Sequence, residues 1–253
     1  MNEFFNRDKY YLKEIRKEVA KDMIVKHHYS HSWTSCDFTL GVFEKTETIH
    51  NFFDLVEDKI IGCIVYGHPI GRQVINGLVK PNDKIKLAND SVLELTRLWI
   101  EDGHGKNIES WTISQSFEWL KKNRPEVKAL ISYADPFENH LGTIYQATNW
   151  LYQSIENTSD DHHFMISLTE PPNCKWMHPR TLVSKYGTES FEHLNSVLPR
   201  PFWKKAYRRK YRYVYILTNK KEKRWLVDNL NSTPLPYPKE ISNPEKNVII
   251  RVD

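Results

Sequence analysis

Near the start of the chain apolar residues recur at every fourth position, at Tyr11, Ile15, Val19 and Met23, with Leu12 and Ile24 beside them and Lys, Glu and Arg between. That period predicts an amphipathic helix from Asp8 to about Tyr29, running into the cluster His27, His28, Tyr29, His31 and Trp33. The pattern then changes to short runs and alternations that read as strands. Phe38 to Phe43 alternates, and Lys59 to Tyr66 is an apolar run closed by Gly67 and Pro69. In Val92 to Ile100, strict alternation sets Leu93, Leu95, Arg97 and Trp99 on one side and Glu94, Thr96, Leu98 and Ile100 on the other. The loop Glu101-Asp102-Gly103-His104-Gly105-Lys106-Asn107 leads into a predicted helix from about Ile108 to Lys122. A buried strand, Ala129 to Tyr133, delivers Asp135 and Pro136 to its end before a helix opens at Gly142-Thr143. His163 to Leu168 and Tyr211 to Thr218 read as strands, and Thr181 to Asn195 as helix interrupted at Gly187. Lys220 to Leu230 reads as a further helix, and the proline-rich stretch from Pro234 as an extended, mobile tail.

Two adjacent strand-to-helix units set among other strands predict an acyltransferase-like α/β (α+β) fold, a mixed central sheet flanked by helices. A length of 253 residues allows one large domain, or a domain with an extension, and a sizeable core. Hydrophobic residues at 40% and charged residues at 27% are those of a soluble globular protein. No apolar stretch approaches the ~18 residues of a membrane span, and the polar start MNEFFNRDKYY lacks the apolar region of a secretory signal. Cys36, Cys63 and Cys174 are odd in number and far apart, which argues against a disulfide framework or a zinc knuckle, so a reducing cytoplasm is the expected location.

Charge sharpens this picture. Between Pro199 and Trp225 stand eleven basic residues against Glu222 alone, a local +10 that leaves −6 for the rest of a chain whose net charge is +4. Rings at Phe202, Trp203, Tyr207, Tyr211, Tyr213 and Tyr215 are interleaved with them. A mildly acidic body with one basic, aromatic tract is the footprint of a polyanion binder, although such a tract is also what a solvated face looks like.

The candidate chemistry lies where strands end. In α/β sheets ligands collect beyond the carboxyl ends of the strands, where helix N-termini offer N–H groups to anions. Asp135 there is a candidate proton acceptor, or simply a turn residue. Tyr145, one turn into the next helix, is a candidate acid or stacking partner, or a core residue. Arg97 demands either a structural carboxylate or an anionic ligand, because an unpaired buried charge is costly. Ser110 and Ser114, four apart on one helix face, are candidate donors to a bound group, unless they bond back to the helix. His27 and His31 have the spacing of half a metal site if the helix continues that far, with His162, His163 and His178 as further ligands of unfixed geometry. No metal is expected from so incomplete a set.

The ordered motifs His28-Tyr29-Ser30, LELTRLWI with Arg97, Glu109-Ser110-Trp111-Thr112-Ile113-Ser114, ISYADP, GTIYQATNW and Arg212-Tyr213-Val214-Tyr215 resemble the Mom family of bacteriophage DNA-modification proteins, over roughly His27 to Pro238. The resemblance implies a variant of the GCN5-related N-acetyltransferase fold and a transferase that converts adenine in DNA to an N6-carbamoylmethyl-type derivative, shielding phage DNA from host restriction. It implies a core over 1–198, a basic aromatic segment over 199–238 that completes the sheet and contacts DNA, and a tail over 239–253. Catalytic roles then fall to Asp135, Tyr145, Arg97, His28 and Tyr29, and donor contacts to Arg97, Ser110, Ser114, Lys106 and Asn107. Double-stranded DNA is expected against Lys204, Lys205, Arg208, Arg209, Lys210, Arg212, Trp33 and Trp150. The donor is a small acyl or amide compound. An acyl-CoA such as acetyl-CoA fits the fold, but the acidic lead Glu101-Asp102 departs from the glycine-rich loop that holds its pyrophosphate. Two other readings stand beside this one: an N-acyltransferase acting on a small amine or a protein, and a catalytically silent DNA-binding module.

Overall fold

A computed structural model of the chain describes residues 6–46, 57–70, 72–80, 87–153, 164–206, 210–240 and 248–253. The chain divides into two compact units that interleave in sequence: the first takes 1–133, 142–154 and 212–237, the second 134–141, 155–211 and 238–253. Of the boundaries expected from the sequence, 238 lies beside the division at 237/238, whereas 198 lies inside the second unit.

The first unit is built on a mixed sheet with helices packed against it. It starts with β1 (Tyr10–Glu14), not with the long helix predicted from Asp8; the helix α1 is confined to Lys17–His27. The run Tyr10-Tyr11-Leu12 suits a strand as well as a helix, and a partner decides between them. Tyr11 pairs with Phe43 across the antiparallel ladder to β2 (Phe38–Glu44), and their rings stack at 5.3 Å. Next come β3 (Lys59–Gly67), the short helix α2 (Arg72–Asn76), β4 (Val92–Ile100), α3 (Ile108–Asn123), β5 (Ala129–Ala134), α4 (Thr143–Ala147) and β6 (Leu151–Gln153). Further along lie β7 (Phe164–Ser167), α5 (Pro179–Tyr186), α6 (Phe191–Val197), β8 (Phe202–Ala206), β9 (Tyr211–Ile216), α7 (Lys220–Asp228) and β10 (Ile250–Val252).

Strands of the main sheet lie in the order β1-β2-β3-β4-β5-β9-β6. β1 to β4 are successive antiparallel neighbours, and β5 joins β4 in parallel. One face is covered by α1, whose Ala20 and Ile24 meet Cys63 and Val65 of β3. On the other, Ile108 of α3 packs with Ile100, Ile61 and Val42. A third apolar cluster joins Leu226 of α7 to Val214 and Ile216 of β9 and to Ala129 and Ile131 of β5.

The second unit has its own three-stranded sheet, β10-β8-β7. Its core gathers Phe164 and Ile166 of β7, Phe202 of β8, Leu182 of α5, and Leu194 and Leu198 at α6. The helical stretch predicted over 181–195 breaks where expected, because Gly187 takes a left-handed φ of 77° that ends α5. The tail is more ordered than its prolines implied: Ile250–Val252 pairs with β8, Leu235 bridges to Tyr152, and the Tyr237 hydroxyl donates to the Trp150 carbonyl at 2.7 Å.

Candidate functional site

The main sheet opens between β4 and β5. Their parallel pairing runs through Val92–Ala129, Leu93–Leu130 and Glu94–Ile131 and goes no further, although both strands continue. The cause is a bulge in β4: Tyr66 of β3 faces Leu95 and Val65 faces Arg97, so Thr96 has no opposite number. An extra residue bends its strand and re-aims the side chains beyond it. The alternation assumed from sequence therefore fails at this point. Leu95 shares a face with Tyr66, whose hydroxyl bonds Ser116 of α3 at 2.6 Å, whereas Arg97 shares one with Val65, on the α1 side.

Arg97 is held by neutral oxygens. Its Nε donates to the Ser32 carbonyl at 3.2 Å, Nη2 to the Ser32 hydroxyl at 3.3 Å, and Nη1 to the Thr96 carbonyl at 2.7 Å. Among the described residues no carboxylate forms an ion pair with it. Burial pulls its pKa below the usual arginine range, while Tyr29, Glu94 and Tyr145 nearby pull the other way. The result is a preoriented cation with no dedicated counter-charge, the condition under which an anionic group is favoured.

Across the opening, Ser132 of β5 sits 2.8 Å from the Leu95 carbonyl and 2.7 Å from the Tyr145 hydroxyl, and is fully buried. One serine proton cannot serve both. Leu95 offers only an acceptor, so full satisfaction requires Ser132 to donate to it and Tyr145 to donate to Ser132. Burial also raises the Tyr145 pKa to about 12. The phenol is therefore poorly suited to the acid role expected from sequence, and its free capacity is that of an acceptor. Sequence reasoning passed over Ser132, although a polar residue inside the apolar run ALISY was the signal.

Tyr145 is fixed by its neighbours. Gly142, at φ 76°, caps α4 where any side chain would strike the Tyr213 ring. Trp150 and Tyr213 lie 5.2 and 5.1 Å from the Tyr145 ring, centroid to centroid. Trp150 is fully buried, so its expected contact with DNA is ruled out by packing. Trp33 is half-buried in the α1 cluster.

His28 closes α1, and its ring lies 4.2 Å from that of Tyr29, which is 47% exposed. The Ser30 amide donates to His28 Nδ1 at 3.1 Å and the Ser30 hydroxyl is 2.8 Å away, so a neutral ring here carries its proton on Nε2. His27 and His31 do not share a helix face. α1 ends at His27, which stacks on Trp99 at 4.6 Å, and His31 turns back to the Val25 carbonyl at 3.1 Å. His178 accepts from the Arg180 amide as the N-cap of α5, and His162 and His163 lie outside the described residues. Among the described residues no group of His, Cys, Asp or Glu is placed to hold a metal ion.

The loop before α3 is a poor match to a coenzyme A pyrophosphate. Glu101 is bonded to Lys59 at 2.6 Å and to His104 at 3.3 Å, and His104 also meets the Tyr10 hydroxyl at 3.3 Å. Asp102 and Lys106 are both exposed, so the loop brings an acid as well as a base. Ser110 and Ser114 donate to the carbonyls of Asn107 and Ser110 at 3.0 and 2.9 Å, so neither has a proton left for a phosphate. Asn107, at φ 73°, leaves the first amides of α3 without a side-chain cap, and space around Gly103 is open rather than cradle-like.

In the second unit, Asp135 pairs with Lys210 at 3.3 Å. Lys205 lies over the Trp176 ring at 4.5 Å, and Lys204 over those of Phe191 and Phe164 at 3.8 and 4.9 Å. Burial lowers the pKa of both lysines. Arg208 and Arg209 lie outside the described residues. Arg212, in the first unit, is not a surface cation at all: it is 9% exposed and directs Nε and Nη2 to the Gln153 side-chain oxygen at 3.0 and 2.5 Å. Among the described residues of the clamp expected over 204–212, Lys204 and Lys205 are half-buried over rings, Arg212 is buried, and Lys210 is exposed and paired with Asp135.

A family profile for the Mom protein family matches residues 9–239, which takes in β1 to β9 and α7. The chain belongs to the Mom protein family. The methylcarbamoylase Mom of Escherichia phage Mu is 26% identical to it over 148 residues, 54% of this chain and 53% of that protein, so the match spans about half the length of the phage relative. Solved structures overlap more loosely. An N-acetyltransferase from Staphylococcus aureus Mu50 covers 83% of this chain and 99% of its own at 11% identity and a TM-score of 0.39. Arabidopsis thaliana NAA60 in complex with a bisubstrate analogue gives the same coverage at 7% identity and 0.41. No helix among the described residues of this Mom-family chain is long and apolar enough to cross a membrane.

Proposed function

We propose that this protein is a transferase that modifies the N6 amine of adenine in double-stranded DNA with a carbamoylmethyl-type group, and so protects phage DNA from restriction. The observation that carries this reading is the family match over 9–239, which includes every residue of the β4–β5 opening, together with a relative named methylcarbamoylase. The N6 lone pair is delocalised into the purine, so a proton must leave N6 as its new bond to the donor carbon forms and the donor's leaving group departs. A paired adenine also has to be extruded from the stack, at a cost of a few kcal/mol, before any side chain reaches that amine.

Roles follow from the groups available. Arg97 neutralises the anionic end of the donor or the charge that develops on it. Tyr145, its proton committed to Ser132, accepts a hydrogen bond from a substrate N–H. His28 and the exposed Tyr29 form the rim beside Arg97. Asp135, ion-paired with Lys210 within the second unit, is carried as the acceptor of the amine proton on its carboxylate chemistry alone. The donor is a small acyl or amide compound, and no step here runs through coenzyme A.

The test is nucleoside mass spectrometry on DNA from cells expressing the protein in a phage-complemented host. A heavier adenine nucleoside in the wild type and its loss in Asp135→Ala support the reading. Unmodified nucleosides from well-expressed wild type overturn it and favour a silent DNA-binding module. Consumption of a thioester without DNA points instead to an acyltransferase on small amines.

A further inference from the structure

The basic tract of the sequence keeps one part that neither buries its charge nor spends it on rings deep in a core. α7 turns Leu226, with Trp225 and Val227, toward the cluster on β5 and β9, and this leaves Lys220, Lys221 and Arg224 exposed on its outer side. Lys223 lies over the half-buried Tyr215 ring at 5.0 Å, and that ring stacks on Phe117 of α3 at 4.0 Å. Lys121 in the last turn of α3 is near enough to Tyr215 to act on its ionisation, and the exposed Lys122 follows it. Acids in this region are already engaged: Glu118 holds Lys121 at 2.7 Å, and Glu222 is turned to Lys128. Asp228 stands one turn beyond Arg224, at the end of the helix. Among the described residues Lys122, Lys220, Lys221, Lys223 and Arg224 have no carboxylate partner.

Stability does not account for this arrangement. The positive end of a helix dipole disfavours cations, yet lysines occupy the first two positions of α7 and two more cations follow within its second turn. The helix start is already closed by Asn219, whose side chain accepts from the amides of Lys221 and Glu222 at 3.1 and 3.0 Å. An anion here would therefore meet side-chain charge rather than backbone amides. Several unpaired cations along one helix suit a ligand whose negative charges repeat.

We infer that α7 and the last turn of α3 form a surface for the phosphate backbone of double-stranded DNA, separate from the opening between β4 and β5. Position supports the separation. Leu217 donates its amide to the Lys128 carbonyl at 2.8 Å, which fixes the start of α7 beside the first end of β5, while Ser132 lies four residues along that strand. The offset is roughly 13 Å at ~3.3 Å per residue. The surface therefore anchors duplex flanking the target and does not touch the target base. This inference takes its partner from the proposed function, but it is tested by binding and not by chemistry.

The experiment is the salt dependence of binding of a fluorescein-labelled 30-base-pair duplex to the full chain. Lys220→Ala, Lys221→Ala, Lys223→Ala and Arg224→Ala are combined, with Lys13→Ala, Lys17→Ala, Lys21→Ala and Lys26→Ala combined as a control of equal charge loss. The α7 variant should bind on the order of ten- to a hundredfold more weakly, with a log K against log salt slope flattened by about 0.9 for each phosphate that is no longer neutralised. The control should stay near wild type. A milder pair, Lys221→Gln with Lys223→Gln, covers the case in which the quadruple variant misfolds, and should show part of the same flattening. Equal affinity and slope in wild type and both α7 variants overturn the inference, as does an equal loss in the control. If wild-type protein yields modified adenine but α7 changes leave binding untouched, the anchor is wrong and the enzyme reading stands. If the α7 variants lose binding but no adenine is modified by any form, the anchor stands and the enzyme reading falls.

Discussion

The opening beside β4 and the far edge of the sheet at β6 and β9 each enclose a guanidinium, and the two are treated differently. Arg212 has a partner made for it: the Gln153 oxygen receives two of its N–H groups, and Gln153 in turn donates its amide nitrogen to the Ser232 carbonyl at 2.6 Å. Arg97 is steadied by two main-chain carbonyls and one hydroxyl beside a break in the strand ladder. The first cation is embedded in a closed polar network, which rigidifies structure. The second is oriented without being neutralised, next to Tyr29, Glu94 and Tyr145. Availability, not burial or charge, separates a structural arginine from a candidate site residue.

The largest expected effect tests that separation directly. Arg97→Ala should lower adenine modification by about a hundredfold or more, the scale of losing one electrostatic donor to a reacting group, with little change in thermal stability. Arg97→Lys should not restore it, because a point charge cannot reproduce the three-donor geometry. Arg212→Ala should do the reverse, costing about 1–3 kcal/mol of stability by stranding Gln153 in the interior. Denaturant titration and nucleoside mass spectrometry on both variants check the pair. Equal losses of stability with no specific effect of Arg97 on modification would erase the distinction.

Ser132 and Tyr145 come next. If the phenol acts only as the serine chain presents it, Ser132→Ala and Tyr145→Phe should each reduce modification without weakening duplex binding, and the double variant should be little worse than either. Their coupling should reach about 0.5–3 kcal/mol, as for residues sharing one network. Strict additivity would mean that Ser132 merely fills space.

A smaller contrast concerns the lysines of β8. Lys204→Ala and Lys205→Ala should change the salt slope of duplex binding less than removal of the α7 cations, since both side chains are half-buried over the Phe191, Phe164 and Trp176 rings and burial lowers the pKa of each. Slopes flattened as much as by the α7 changes would restore the clamp that the sequence suggested.

Much of this architecture was legible in the sequence, and the failures have physical causes. The strand at 92–100 stood out by its alternation, those at 59–67 and 129–134 as short apolar runs ended by turn residues, and the helices at 108–123 and 220–228 were also readable. β1 was hidden because Tyr10, Tyr11 and Leu12 satisfy two periods, and its partner lies some thirty residues away. Thr96 could not be recognised as a bulge, since a bulge is a property of two strands and a sequence displays one. Charge was the most misleading signal. Lys204, Lys205 and Arg212 look alike in a basic run, but rings of β7 and α6 and the Trp176 ring half-bury the two lysines, and an amide of β6 engages the buried arginine. The position of Asp135 at a strand end was readable; its ion pair with Lys210, seventy-five residues on, was not.

Cys63 offers the smallest test of the same question, whether a buried titratable group with only main-chain company keeps its ordinary chemistry. Its thiol faces the Ala20 carbonyl at 3.9 Å, and burial raises its pKa from 9.0 to about 12. Below pH 9 the thiol is neutral in the folded and the unfolded chain and adds no pH dependence. Between 9 and 12 the unfolded chain releases this proton and the folded chain retains it, so stability falls as pH rises. One such group costs about 1.4 kcal/mol per pH unit within that window. Tyr145 adds its own loss only above its ordinary value of 10.0, whereas Cys36, also raised by burial, shares the lower part of the window. Unfolding measured at pH 8, 9 and 10 should therefore show a decline that Cys63→Ala reduces without abolishing. In the native protein at pH 8, a thiol reagent should label Cys36 and Cys174 before Cys63. Rapid labelling of Cys63 would mean that the α1 side of the sheet opens readily, and with it the wall that steadies Arg97.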